Sequence, residues 1–134
     1  MLPWIVRMFP DARYIYWTRD PRDNVLSSHL TDDLADFGVP YEHTDDPICR
    51  RAISWQYQFE IMKNTPFPTH RLEVQFEDFV LHQPETLQRL QAFLGIPMAT
   101  IPVRPDSIGR WKGDPECTAF GMFPPESLYR EVPA

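Results

Sequence analysis

Hydrophobic positions along the chain fall into short continuous runs and into helical spacings. The run RYIYWT, residues 13–18, is apolar at four successive positions, which predicts a parallel strand covered on both faces. RLEVQF, residues 71–76, predicts a second strand. A short apolar segment from Pro3 to Phe9 predicts a buried helix before the first strand. Strands that alternate with helices predict an α/β fold built on a parallel sheet.

Three longer helices are predicted by the spacing of apolar residues and by end signals. The first begins at Pro21, is capped by Gly38, and repeats its apolar residues at intervals of four, four and three: Leu26, Leu30, Leu34 and Phe37. The second begins at Asp46-Pro47 and ends at Asn64-Thr65-Pro66, and we interpret its apolar stripe as core packing in preference to a binding groove. The third is PETLQRLQAFLG, with Gly95 just past its end.

Prolines are concentrated in the last part of the chain. They stand at positions 97, 102, 105, 115, 124 and 125, which predicts an irregular segment, residues 97–134, that wraps a βα core of residues 1–96. A length of 134 residues predicts a single domain.

Charge and cysteine usage exclude several classes of function. The 13 Lys+Arg and 19 Asp+Glu give a formal net charge of −6 without a basic block, so a nucleic-acid surface is not expected. Cys49 and Cys117 lack the spacing of a zinc site or a disulfide framework. The sequence MLPWIVRMFP lacks the pattern of a secretory signal, and no segment is long and apolar enough for a membrane span. We therefore expect a cytoplasmic protein that uses neither a metal nor a membrane.

The segment YWTRDPRDNVLSS carries the candidate chemistry. Ligands bind beyond the carboxyl ends of parallel strands, and Arg19 stands at that place after the first predicted strand. Ser27 lies eight residues later, about two turns into the predicted helix, where its hydroxyl could join the guanidinium in holding a phosphate monoester. The alternative is a charged loop with Asp20 as helix N-cap and with Arg19 and Arg22 solvated. The residues alone leave the two interpretations evenly balanced.

Three segments, in order, resemble a known family. YIYWTRDPRDNVLSS resembles the 3′-phosphate motif of sulfotransferases that use 3′-phosphoadenosine 5′-phosphosulfate. LEVQFEDFVLHQPETLQRLQAFLGIP is similar to the family's second strand and helix, and SIGRWKGD resembles the basic segment that folds over the nucleotide. The three segments cover most of residues 10–115. The resemblance implies a P-loop NTPase-like sulfotransferase fold, here a partial doubly wound parallel sheet.

The resemblance also implies roles for individual residues. Arg19 and Ser27 would hold the 3′-phosphate, and Phe76 stands where many members have a Tyr against the adenine, although it is equally credible as a core residue. Three residues of the basic segment would close over the phosphate, with simple solvation in the tail as the alternative: Arg110, Lys112 and Gly113. Glu77 and Asp78 suggest acid–base chemistry, but directly after a strand such residues more often cap the next turn.

Two parts of the family's active site have no match in this sequence. In the family, the first βα unit carries the loop around the 5′-phosphosulfate, and the base that activates the acceptor lies shortly before the strand matched by RYIYWT. That strand begins twelve residues after the start of this chain, so we expect the first βα unit to be missing. A late-starting gene model, a truncated relative, or a partner chain in an oligomer would each account for this. No catalytic residue is assigned, and we interpret His29 as a structural or exposed residue.

The sequence thus favours a sulfotransferase that moves a sulfuryl group from the nucleotide to a hydroxyl or amine. This chain would supply the half of the site that binds the 3′-phosphate, and the acceptor, whether small molecule, glycan or peptide, is not specified by these residues. The alternative is a non-catalytic module that binds the nucleotide as a sensor or remnant. An unrelated α/β phosphoryl-transfer enzyme is a weaker third hypothesis, because the chain has no GxxxxGK[ST] motif.

Overall fold

The structure is a computed structural model that describes residues 2–27, 34, 38–40, 44–114 and 117–124. Its elements follow one another as five helices, two strands and three short 3₁₀ turns. In chain order they are α1 (Leu2–Met8), β1 (Arg13–Thr18), α2 (Pro21–Leu26), α3 (Pro47–Asn64), β2 (His70–Gln75), α4 (Phe76–Leu81), α5 (Gln83–Leu94) and the 3₁₀ turns Pro105–Ser107, Arg110–Gly113 and Thr118–Met122. No helix among these elements is long and apolar enough to cross a membrane.

The two predicted strands pair in parallel, which confirms the α/β class. Arg13 lies opposite His70 and Thr18 opposite Gln75, so the two strands are in register along their whole length. Parallel neighbours require a crossover connection, and α2 and α3 lie in the chain between them. Because the strands run in the same direction, their carboxyl ends lie at one edge of the sheet. The sheet has two strands in the described part of the chain, and the doubly wound arrangement stays a prediction.

The prediction that β1 is covered on both faces, and that a buried helix precedes it, is wrong in both parts. Along β1 only Tyr16 is buried, and Trp17 remains 48% exposed. The helix α1 forms where expected, but Val6 is its only buried residue and Trp4 is 68% exposed. A continuous apolar run shows that a segment can be buried, whereas its actual cover depends on the elements that pack against it.

Helix boundaries follow the end signals closely at α3 and α5. Asp46 is the N-cap of α3 and its carboxylate accepts a hydrogen bond from the amide of Ile48 at 2.9 Å. Gly95 ends α5 in the left-handed conformation, with φ of +71° and its amide bonded to the carbonyl of Gln91. These two predictions are confirmed, because caps rest on hydrogen bonds between residues that are close in the sequence.

The helix that begins at Pro21 ends earlier than the predicted end at Gly38. The regular helix α2 ends at Leu26, and Ser27 is its C-cap in an extended conformation. Gly38 has a φ of +71°, and the amide of Val39 bonds the carbonyl of Leu34 at 3.1 Å. The remainder of that predicted helix, including His29, lies outside the described residues.

Two separate apolar clusters hold the elements together. The first joins α2, α3 and the last 3₁₀ turn through Val25, Ala52 and Ala119. The second joins β2 to α5 through Val74, Leu87 and Leu90. The described part of the C-terminal segment therefore packs on α2 and α3, and the side chain of Gln56 adds a hydrogen bond to the carbonyl of Met122. This packing places the C-terminal segment beside the residues that follow β1.

Candidate nucleotide-binding site

The candidate site lies beyond the shared carboxyl edge of the two strands. Arg19 follows the end of β1, and Phe76, the first residue of α4, follows the end of β2. The predicted second strand ended at Phe76, but the structure ends it one residue earlier because the chain turns directly into α4. The guanidinium carbon of Arg19 lies 4.5 Å from the centroid of the Phe76 ring. Parallel pairing thus brings together two residues that are far apart in the sequence.

The guanidinium of Arg19 is only partly satisfied by the protein. Its Nη1 donates to the Oγ of Ser27 at 3.3 Å, and its Nη2 donates to the carbonyl of Ser107 at 3.0 Å. Its Nε is buried and has no hydrogen-bond partner among the described residues. The structure therefore brings Arg19 and Ser27 together, as the sequence predicted, and leaves one buried donor on the guanidinium without an acceptor.

Ser27 reaches Arg19 from the end of α2 and not from within it. Its hydroxyl donates to the carbonyl of Asp23, four residues earlier, at 3.2 Å, and its amide bonds the carbonyl of Asn24. A serine hydroxyl that bonds the preceding turn competes with the regular helical pattern, which is consistent with the chain leaving the helix at this point. The expected proximity of Ser27 to Arg19 is confirmed, but the expected position of Ser27 two turns into a helix is wrong.

The start of α2 is held by the Asp20 carboxylate. Asp20 is the N-cap, accepting from the amide of Arg22, and it also accepts from the Arg22 side chain, with its Oδ2 2.6 Å from Nη2. The guanidinium carbon of Arg22 lies 3.6 Å from the centroid of the Trp111 ring. The N-cap role that the alternative interpretation gave to Asp20 is confirmed. The interpretation of Arg22 as a solvated surface charge is wrong, because its side chain is only 17% exposed.

Glu77 ties the two strand ends together. Its carboxylate is buried in the first turn of α4 and accepts a hydrogen bond from the backbone amide of Asp20 at 2.8 Å. This bond fixes the loop after β1 against the helix after β2, and so fixes the direction from which Arg19 leaves the strand. The contact supports a structural role for Glu77 in preference to acid–base chemistry.

Asp23 is a residue of the candidate site that the sequence pattern does not identify. It is 1% exposed, and its two carboxylate oxygens accept hydrogen bonds from the backbone amides of Gly109 at 2.7 Å and Trp111 at 3.0 Å. Gly109 has a φ of +78°, a conformation that glycine adopts without strain. The only sequence signal was an acidic residue in the first turn of a short helix, where helix capping is the ordinary explanation.

The basic residues that were predicted to bind the phosphate follow Gly109, in the segment whose backbone amides bind Asp23. Arg110 donates to the carbonyl of Leu26 at 3.0 Å, and the side chain of Lys112 passes beside Gly109. Gly113 ends the 3₁₀ turn and does not have the left-handed φ that Gly109 has. Among the described residues, none of Arg110, Lys112 and Gly113 shares a hydrogen bond with Arg19 or Ser27. The segment reaches Arg19 through Ser107 instead.

A cleft of about 780 Å³ runs along β1 and ends at Arg19 and Phe76. Aromatic side chains, among them Trp17, Trp55 and Phe59, line it. Trp55 and Phe59 belong to the apolar stripe of α3, so the interpretation of that whole stripe as core packing is wrong: Ala52 is buried in the core, but these two side chains face the cleft. Tyr16 also lines it, and burial raises the pKa of its hydroxyl above the ordinary value. The volume lies in the range of pockets that hold small ligands of nucleotide size.

The comparison with known families agrees with this architecture. A family model described as "Sulfotransferase family" matches residues 1–100 of the chain. No curated protein and no solved structure matches the chain significantly. The match spans both strands, the Arg19–Ser27 contact and α5, which is most of the described fold. The chain therefore belongs to the sulfotransferase family.

Proposed function

We propose that this chain binds 3′-phosphoadenosine 5′-phosphosulfate and supplies the 3′-phosphate-binding half of a sulfotransferase site. In this proposal Arg19 and Ser27 hold the 3′-phosphate, and Phe76 offers its ring to the adenine. The reaction would break the bond between sulfur and the phosphate oxygen of the donor and form one to a hydroxyl or amine of the acceptor, which loses a proton. Family membership supports sulfuryl transfer in general, and the geometry at Arg19 supports the finer assignment.

The observation that carries the proposal is the unbalanced charge of Arg19. Its neighbours are a ring, a hydroxyl and a carbonyl, and no described carboxylate forms a salt bridge with it. Its buried Nε still lacks an acceptor. A buried donor on a charged group is costly when unsatisfied, so a phosphate in contact with the guanidinium would gain a charge-assisted bond and relieve that cost.

The test is calorimetric titration with two nucleotides that differ in one group. Adenosine 3′,5′-bisphosphate carries the 3′-phosphate, and adenosine 5′-monophosphate lacks it. We expect Arg19→Ala to weaken binding of the bisphosphate by about 2–4 kcal/mol and Ser27→Ala by about 1 kcal/mol, with little effect on the monophosphate. Arg104→Ala is the matched control, since that side chain is 84% exposed and paired only with exposed Asp106. Equal affinity of the unaltered chain for both nucleotides would contradict the assigned site.

A second candidate function, nucleotide binding without turnover, is favoured by one feature of the site. Three described carboxylates of the candidate site all accept hydrogen bonds from the fold: Asp20 from Arg22, Glu77 from the Asp20 amide, and Asp23 from two backbone amides. None is left as an evident base for the acceptor. A radiolabelled sulfate-transfer assay on phenols and sugars separates the two functions, because only an enzyme labels an acceptor.

A further inference from the structure

Two buried polar atoms without partners belong to residues in direct contact. The structure leaves the Nε of Arg19 and the Oγ of Ser107 unsatisfied and buried within the described part of the chain. The two residues are joined by the hydrogen bond from Arg19 Nη2 to the Ser107 carbonyl, 3.0 Å long. Buried polar atoms are nearly always paired in folded proteins, so these two atoms, on residues that touch, are both free to bind polar groups of a ligand.

Ser107 is held in place by contacts on its C-terminal side. It ends the 3₁₀ turn Pro105–Ser107, and two residues later Gly109 donates its amide to Asp23. Trp111 donates to the other oxygen of the same carboxylate, and Arg110 bonds the end of α2. The segment from Ser107 to Trp111 is thus fixed across α2 at several points. A hydroxyl held in this way loses little further freedom when it binds a ligand.

A ligand group that could bind both atoms is an anion with several oxygens. A guanidinium N–H can only donate a hydrogen bond. A serine hydroxyl can also donate one, so both groups can bind oxygens of the same anion. The Oγ of Ser27 lies on the other terminal nitrogen of the guanidinium, so two hydroxyl residues flank one cation. A phosphate monoester has three oxygens to share among these three residues.

We propose that Ser107 is a third ligand of the 3′-phosphate, and that Asp23 positions it by holding the segment from Ser107 to Trp111 across α2. The proposal rests on the proposed nucleotide-binding function and adds a ligand from the C-terminal segment that the family resemblance did not assign. Asp23 does not touch the phosphate in this arrangement. Its effect on the ligand passes through the two backbone amides that it binds.

The first experiment compares the two nucleotides on variants of Ser107. We expect Ser107→Ala to weaken binding of adenosine 3′,5′-bisphosphate by about tenfold or more while binding of adenosine 5′-monophosphate is unchanged. Ser107→Thr keeps a hydroxyl and should retain the preference for the bisphosphate. Asp106→Ala, a change at the adjacent exposed position, is the control and should behave as the unaltered chain. Circular dichroism melting of each variant shows whether it folds.

The second experiment tests the positioning role of Asp23. Asp23→Asn replaces one accepting oxygen by an NH₂ group, which cannot accept from a backbone amide. We expect faster trypsin cleavage after Arg110 and Lys112 in the ligand-free protein, and a preference for the bisphosphate that falls about as far as in Ser107→Ala. The combined Asp23→Asn, Ser107→Ala variant should show little further loss of the preference for the bisphosphate, because both changes remove the same contact between Ser107 and the phosphate. Asp106→Asn is the matched control.

The outcomes separate the failure of this inference from failure of the proposed function. If the unaltered chain does not distinguish the two nucleotides, the proposed function and this inference are both overturned. If it does distinguish them and Ser107→Ala keeps the full preference, a water molecule satisfies the hydroxyl and only the inference fails. If Ser107→Ala weakens binding of both nucleotides equally, Ser107 has a structural role and the inference is also overturned.

Discussion

The two arginines of the turn after β1 carry the same charge but meet different neighbours. Arg22 pairs with the buried carboxylate of Asp20 and stacks on Trp111. Arg19 contacts Phe76, a hydroxyl and a carbonyl, none of which carries a negative charge. A guanidinium that is already paired with a carboxylate has less to gain from an added anion. Of these two residues, three positions apart, Arg22 is bound within the fold, whereas Arg19 keeps the charge on which the proposed phosphate contact depends.

Arg22→Ala should lower the free energy of unfolding by about 2 kcal/mol, because it leaves the buried Asp20 carboxylate without its cation, but should keep the preference for the 3′-phosphate. Arg19→Ala should do the reverse: it removes an unpaired charge, so stability should be unchanged or higher while the preference is lost. Urea denaturation and calorimetry on the same samples measure both quantities. Loss of the preference in Arg22→Ala with an unchanged free energy of unfolding would contradict the assignment.

Among the elements, α3 shows how a cap is set by short-range contacts. The Asp46 carboxylate accepts from the thiol of Cys49 at 3.3 Å and from the amide of Ile48. These bonds hold the pKa of Asp46 below its ordinary value, with the Cys49 thiol as the largest cause, and the same contact raises the pKa of Cys49. Both effects favour the ionised carboxylate at the start of the helix, where the helix dipole also favours negative charge.

The stability that Asp46 contributes should depend on pH. Because the folded pKa of Asp46 is lowered, its contribution to stability is present above the unfolded pKa, about 3.9, and is lost as pH falls through the lower folded value. Asp46→Asn still caps the helix but does not titrate, so its advantage relative to the unaltered chain should grow as pH falls from about 5 to 3. Asp46→Ala should cost about 1 kcal/mol at neutral pH. Urea denaturation over this pH range is the measurement, and parallel pH profiles for the Asn variant and the unaltered chain would contradict it.

The whole molecule depends on two apolar clusters that serve different parts of the site. The cluster of Val25, Ala52 and Ala119 joins α2 and α3 to the C-terminal segment. The cluster around Val74 joins β2 to α5. The first cluster includes α2, whose Asp23 and Leu26 bind the segment from Gly109 to Trp111. Its packing should therefore affect how firmly that segment is held, whereas the second cluster should affect stability alone.

A matched pair of valines tests this division at the scale of the molecule. Val25 and Val74 are both almost fully buried, at 1% and 0% exposure, so each change to alanine should cost about 2 kcal/mol of stability. Val25→Ala should in addition speed trypsin cleavage after Arg110 and Lys112 under conditions where both variants remain folded. Melting curves and timed proteolysis measure the two effects. Equal cleavage rates in the two variants would contradict the prediction that only the first cluster affects how firmly the segment that carries Ser107 is held.

The sequence by itself determined the features that depend on neighbours along the chain. The two strands, the caps at Asp46 and Gly95, and the eight-residue spacing between Arg19 and Ser27 were all predicted, because periodicity, capping and spacing act over a few residues. Prediction from local patterns was less accurate where one residue fits two kinds of element. The turn directly into α4 was missed, because the apolar Phe76 fits both the end of a strand and the start of a helix.

Only the tertiary structure decided what covers each element and which distant groups meet at the site. The exposure of Trp17 depends on the packing around β1, which an apolar run does not specify. Asp23 and its partner Gly109 are 86 residues apart in the chain, and Arg19 and Ser107 are 88 apart. No spacing rule extends over such a distance, because the contact depends on the path of the intervening chain through α3, β2 and α5. For that reason the sequence identified the cation of the candidate site, and the fold identified the distant segment that contacts it.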